Sequence, residues 1–268
     1  MALADWTVTE AGFGADLGAE KFLDTKCRIA GIRPDCVVVV ATVKALKLHG
    51  GADKASLSEE NIPALRAGMP NLLKHVENMQ KVYNRPVVVA MNRFASDTPA
   101  EIEEVLSAVE RAGAKAVFTD VFLKGGEGGE ELAKAVFAAA DGERELHFAY
   151  DLNDPIGKKI EDVVKNVYGG DGVTFSDTAR AKIAEAEARG YGKTPVIIAK
   201  TQYSLSDNAK LVGRPSGFTV HVRDIIVKGG AGFVVAVAGN IMLMPGLGKH
   251  PAAEKIDVDE AGEIVGLS

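Results

Sequence analysis

Two phenylalanines head the residues whose placement invites chemistry. Phe94 in NRFASDT and Phe122 in VFLKGGEGG each follow an apolar run by a few residues. Each ring is therefore expected just past the carboxyl end of a strand, where α/β sheets bind ligands. Aromatic residues make up only 6% of the chain, so a ring beside a glycine-rich loop carries information. Two rings about 7 Å apart, roughly 3.5 Å per stacking face, would hold one flat heteroaromatic group between them. Stacking of that kind is worth about 1–3 kcal/mol per ring. The alternative is that each ring caps the sheet end against a neighbouring helix.

Other loops invite weaker readings. GFGADLG, from Gly12 to Gly18, precedes a helical pattern, and its N–H groups could cradle an anion at a helix N-terminus. Its third glycine comes one residue late for a dinucleotide fingerprint, and no acid ends a strand about 20 residues on. A tight strand-to-helix turn is the plainer reading. The GKT at Gly192 to Thr194 is excluded as a phosphate loop, because Glu187 stands where its first glycine belongs and the segment runs from helix to strand. The histidines, His49, His75, His147, His221 and His250, form no HExxH or i,i+4 pair, and neither GxSxG nor a Cys–His nucleophile pair can be read. His49 beside Gly50 and Gly51 is the histidine best placed for function, while His75 reads as surface or half-buried. Glu127 and Asp97 serve as acid/base groups or as loop caps.

The elements that must position these loops alternate strand with helix. Asp5 to Thr9, Cys36 to Thr42, Pro86 to Ala90, Lys115 to Thr119, Leu146 to Tyr150 and Pro195 to Ala199 read as strands. Helices are expected over Ala15 to Cys27, Ile62 to Tyr83, from Pro99 to a stop at Gly113, over Glu130 to Ala140, from an Asp154-Pro155 cap to Val167, and from a Ser176 cap to Arg189. Thr98 and Glu101 form a capping box with proline between them. Such alternation implies right-handed crossovers and an α/β fold on a mostly parallel sheet. Phe218 to Val227 and Gly232 to Val237 change the texture, so the C-terminal part is expected to be mixed or antiparallel.

Composition closes off several classes. The 268 residues carry 31 Lys+Arg against 37 Asp+Glu, a net charge of −6, with no basic stripe for nucleic acid. Two cysteines make no disulfide framework. The opening MALADWTVTEAGFG resembles no signal peptide, and the longest apolar runs fall short of the roughly 20 residues that span a bilayer. A cytoplasmic location is expected.

Beyond pattern, the residues resemble a family. The run from Thr9 to Phe22 (TEAGFGADLGAEKF), then VATVKALKLHGG (40–51), NRFASDT (92–98), VFLKGGEGG (121–129), GGDGV (169–173), GYGKTPVIIAKTQYSLSD (190–207), GRPSGFTVHVRD (213–224) and IMLMPGLGKHPAAEKIDVD (241–259) closely resemble formate–tetrahydrofolate ligase. The resemblance runs through essentially the whole chain. It implies a C–N ligase that uses ATP, with magnesium, to activate formate as formyl phosphate. The formyl group then passes to tetrahydrofolate, giving 10-formyltetrahydrofolate, ADP and phosphate. It also implies a monovalent-cation effect and a homo-oligomer.

By the same resemblance Phe94 and Phe122 match the two aromatic residues that sandwich the pterin, the second being Trp in some relatives. Gly12, Gly14, Lys200 and Thr201 border the nucleotide cleft. Lys44 stands where the family signature usually has Arg, a point charge in place of a planar fork, and Ala95 where some relatives have Pro. The family's phosphate loop belongs to an N-terminal half to which nothing here corresponds, so the resemblance is to the C-terminal half. It implies residues 1–55 as a remnant of a P-loop-type nucleotide domain, 56–150 as the domain of the pterin loops, and 151–268 as a C-terminal α/β domain. A separately encoded N-terminal half is an expected partner. The rival reading is a non-catalytic folate-binding or subunit-interaction module, and a stand-alone Rossmann-like protein ranks last. Cys36 to Ala41 is expected as an exposed apolar edge that invites pairing or aggregation.

Overall fold

A computed structural model describes residues 3–241 and 248–266. The chain is α/β with two main sheets. Strands β1 (Val37–Ala41), β2 (Val87–Asn92) and β3 (Lys115–Thr119) form a parallel three-stranded sheet in that order. The second sheet holds β4 (Gly172–Phe175), β5 (Val196–Ala199), β6 (Thr219–Lys228) and β7 (Phe233–Ala238) in the order β4-β6-β7-β5. Its outer pairs are parallel and its central β6–β7 pair antiparallel. The short antiparallel strands β8 (Asp257–Val258) and β9 (Ile264–Val265) pair apart from both. The mostly parallel α/β arrangement with a mixed C-terminal portion is as expected, and the two parts form separate sheets. β1 and β2 pair across position 55, and the second sheet lies wholly beyond position 150.

Helix α1 comprises Gly18–Lys21, a wider π-type stretch over Phe22–Cys27, and Arg28–Ala30. It is followed by α2 (Val43–His49) and by α3 (Ile62–Glu77), which Asn78–Val82 extends in π geometry. Next come α4 (Pro99–Arg111), the short α5 (Val121–Lys124), α6 (Glu130–Ala139), α7 (Ile156–Val163, extended by Val164–Tyr168) and α8 (Asp177–Ala188). Val87 to Met91 of β2 are buried on both faces, which is why that strand reads as an unbroken apolar run. Thr98 and Glu101 close their capping box, and Gly113, at φ 73°, ends the helix beyond it. Glu101 has a second task. Its buried carboxylate also takes Lys47 Nζ at 2.8 Å and the Asn61 N–H at 3.0 Å, tying α2 and α3 to the start of α4. Burial alone would raise that carboxyl; the hydrogen bonds from Lys47 and the Asn61 and Thr98 N–H groups hold it below the ordinary value.

Three expected elements are corrected. Asp5 to Thr9 is not a strand: the segment lies exposed, held where Trp6 meets Phe137 of α6 edge-on at 4.4 Å. Leu146 to Tyr150 is not one either, because side chains take its backbone groups. The Ala149 N–H goes to Asp24, the Tyr150 carbonyl to Arg28 and the Ala149 carbonyl to Asn166, leaving no ladder to join. Asp154 does not cap α7. Pro155 holds that place, and Glu187 of α8 reaches across to accept the Ile156 N–H at 2.8 Å.

α2 and α3 cross closely through glycine. A Cβ on Gly68 would lie 1.8 Å from the Leu46 carbonyl oxygen, and one on Gly50 1.8 Å from that of Ala64. Both obstacles are backbone, so the helices must part. Gly68→Ala is expected to destabilise the chain by about 1–3 kcal/mol, the range of overpacked cores, although alanine is the better helix former. Chemical denaturation of the variant measures it.

Candidate functional site

The carboxyl ends of β1, β2 and β3 open on one edge of the first sheet, and each leads into one of the loops singled out above. After β1, Thr42 Oγ1 accepts the Ala45 N–H at 3.0 Å and starts α2, which carries Lys44. After β2, the Arg93 N–H binds the Thr119 carbonyl, so the exits of β2 and β3 stay in register. Phe94 then enters a tight turn. Its N–H donates to Asp97 Oδ2 at 2.9 Å, and the Asp97 N–H returns to the Phe94 carbonyl at 3.0 Å. Burial raises the Asp97 carboxyl and the bond from Phe94 opposes that rise, which fits the loop-cap reading of Asp97. Lys44 Nζ lies 4.6 Å from the centre of the Phe94 ring, a cation–π contact that steadies one of its faces.

After β3, α5 presents Phe122. The following GGEGG folds back, so that the Asp120 N–H meets the Gly128 carbonyl at 3.2 Å. A Cβ on Gly128 would lie 2.5 Å from the Asp120 backbone, which explains a glycine there. Asp120 draws Arg93 and Lys124 toward it at 3.7 Å each, linking the two aromatic loops. Phe122 is 94% exposed and Phe94 43%. An apolar ring in water at the ligand-binding edge of a parallel sheet does not serve as a helix cap, so the packing alternative fails for Phe122.

The other candidates lie elsewhere. Lys200, just past β5, is buried and bonds Asp16 at 2.7 Å as well as the carbonyls of Thr201 and Ser204. Desolvation lowers its pKa and Asp16 opposes the fall. At the other partner, the Leu17 and Gly18 N–H groups turn back to the Gly14 carbonyl at 2.9 and 2.8 Å. Gly12 has open space beside it. Gly18 packs on it so tightly that a Cβ would stand 1.9 Å from the Gly12 oxygen, which accounts for the late third glycine. Thr201 lines a 480 Å³ cleft with Gln202, Tyr203, Asp207, Asn208 and Asn240 at the carboxyl ends of β5 and β7. The structure therefore brings Phe94 and Phe122 to one sheet edge, and joins Lys200 to the glycine turn through Asp16. His49 is a packing residue here, its Nδ1 accepting the Gly213 N–H at 3.1 Å, with burial lowering its pKa. The IMLMPGLG motif falls outside the described residues at 242–247.

A buried polar cluster on α1 escaped the sequence reading. Asp24 accepts the Tyr83 hydroxyl and the Ala149 N–H, both at 2.8 Å, with Arg28 at 3.4 Å. Glu20 lies one turn before it, also fully buried. Asp16, Glu20 and Asp24 at four-residue spacing on an otherwise apolar face were the available signal. Desolvation and the neighbouring Glu20 push the Asp24 carboxyl up to about 7. The folded chain thus holds a proton that an unfolded aspartate releases near pH 4. Asp24 consequently stabilises the fold most below about pH 4, and that contribution is lost as pH rises to about 7. Asp24→Asn is expected to remove this fall, whatever its effect on mean stability. Denaturation midpoints from pH 5 to 8, taken as differences from the parent chain, test it.

Comparison with known proteins settles the family. A family model for formate–tetrahydrofolate ligase matches residues 1–268. The chain belongs to the formate–tetrahydrofolate ligase family. A formate–tetrahydrofolate ligase of Psychrobacter sp. (strain PRwf-1) is 57% identical to it over 271 residues, covering 100% of this chain and 48% of that protein. The chain thus spans about half the length of that ligase. Among the described residues no helix is long and apolar enough to cross a membrane.

Proposed function

We propose that this chain is the tetrahydrofolate-binding half of a formate–tetrahydrofolate ligase. The observation that carries the reading is the placement of Phe94 and Phe122 past the ends of adjacent parallel strands, with Phe122 held out in solvent. A flat pterin between the two rings would cover apolar ring surface that stands exposed among the described residues. In the whole reaction a formate oxygen attacks the γ-phosphorus of ATP and ADP leaves. The N10 amine of tetrahydrofolate then attacks the formyl carbon, phosphate leaves, and the amine proton passes to solvent. Both steps rest on positioning and on neutralising phosphate charge.

Residues 56–150 carry the pterin loops in this reading, and 151–268 the C-terminal α/β part. Residues 1–55 adjoin the nucleotide side, with Gly12, Gly14, Lys200 and Thr201 at its border. Magnesium-bound ATP, formate and the monovalent-cation effect belong to the assembled ligase, a cytoplasmic homo-oligomer. Calorimetric titration of the chain with tetrahydrofolate, alone and then with ATP and formate, tests the assignment. Binding without ADP formation is the expected result; failure to bind tetrahydrofolate overturns it.

A further inference from the structure

β1 is left unfinished on two sides. Among the described residues it pairs with β2 alone, from Val37 against Val87 to Ala41 against Met91. The Val37 N–H donates to the Pro86 carbonyl, which turns Val37, Val39 and Ala41 toward β2. Backbone groups alternate along a parallel strand, so the N–H and C=O of Val38 and Val40 point to the open edge. The face carrying those two side chains is open as well. Their register partners, Val88 and Ala90, are buried where α6 packs over β2, and Val39 on the opposite face is in the core. Val38 and Val40 are 39% and 61% exposed.

Parallel sheets are covered on both faces, and native edge strands are blunted by a charge, a proline or a bulge. VVVVA has none of these. All of this chain matches the Psychrobacter ligase, yet it accounts for 48% of that protein, so the other half of the ligase must meet this half somewhere.

We propose that β1 is the docking strand for that other half, which adds a parallel strand to the open edge and a helix over Val38 and Val40, whether the two halves share one polypeptide or two. The occupant is an apolar βα unit of the remaining ligase sequence. This rests on family membership and not on the pterin reading, so each can fail alone.

The test coexpresses the full chain, tagged, with the segment of the Psychrobacter ligase that lies outside the aligned half. The expected result is a one-to-one complex by sedimentation, with the amides of Val38 and Val40 gaining at least tenfold protection from hydrogen exchange. Val38→Lys with Val40→Lys should weaken the complex at least tenfold. Val258→Lys, equally exposed on β8, should leave it unchanged. The proposal is overturned if no complex forms, or if one forms without protection at those amides. It is equally overturned if the chain alone self-associates with the same protection, since the occupant is then a second copy.

Discussion

Phe122→Ala is expected to weaken tetrahydrofolate binding about 5- to 150-fold while leaving the chain as stable as before. The range is the roughly 1–3 kcal/mol carried by one stacking face, and the separation from stability follows from exposure. A side chain standing in water contributes little to folding, and surface substitutions of that kind stay within about 0.5 kcal/mol. Phe94→Ala should lose a similar factor, and with it the Lys44 contact. Its turn should survive, because the bonds to Asp97 run through the Phe94 backbone. Phe122→Trp is expected to tighten binding through its larger face. Calorimetry beside thermal unfolding separates the two quantities. If both alanine variants bind tetrahydrofolate as the parent does, the rings do not hold the pterin.

What could be read in advance follows from how local each feature is. Lys115–Thr119 is a strand as expected, and the Thr98 capping box and the Gly113 stop are formed by residues within a few positions of one another. The β1 run VVVVA reads by itself like the doubly buried β2, and only the resemblance to one half of the ligase pointed to an open edge. Leu146 to Tyr150 has the composition of a strand but not its fate, since its backbone partners include Asp24 and Arg28, more than a hundred residues away. The strand order of the second sheet is equally non-local, because the β6–β7 pair inserts between β4 and β5. In the site, the aromatic pair could be found because each ring follows an apolar run by a few residues in a chain that is only 6% aromatic. The Asp16–Lys200 bond could not, because its partners stand 184 positions apart.

That bond gives the largest expected change in stability. Lys200→Met leaves the Asp16 carboxylate buried beside a thioether, and breaking a buried pair from one side costs about 3–5 kcal/mol. Asp16→Asn should cost less, because the Lys200 ammonium keeps the Thr201 and Ser204 carbonyls. Asp16→Leu combined with Lys200→Met should recover much of the loss, since two apolar groups leave no stranded charge. Urea denaturation of the three variants at pH 7 reads each value, and the departure from additivity isolates the pair. The double variant also separates folding from ligand chemistry. A nucleotide phosphate would have to draw Lys200 from a carboxylate 2.7 Å away in a buried setting. Lys200 is therefore expected to hold the Gly12–Gly18 turn against the end of β5 as a positioning residue. Nucleotide affinity of the double variant, measured in the complex with the other half of the ligase, should stay within a few-fold of the parent, whereas a lysine gripping phosphate directly would lose about 10- to 150-fold, the range of a charge-assisted hydrogen bond at roughly 1.5–3 kcal/mol.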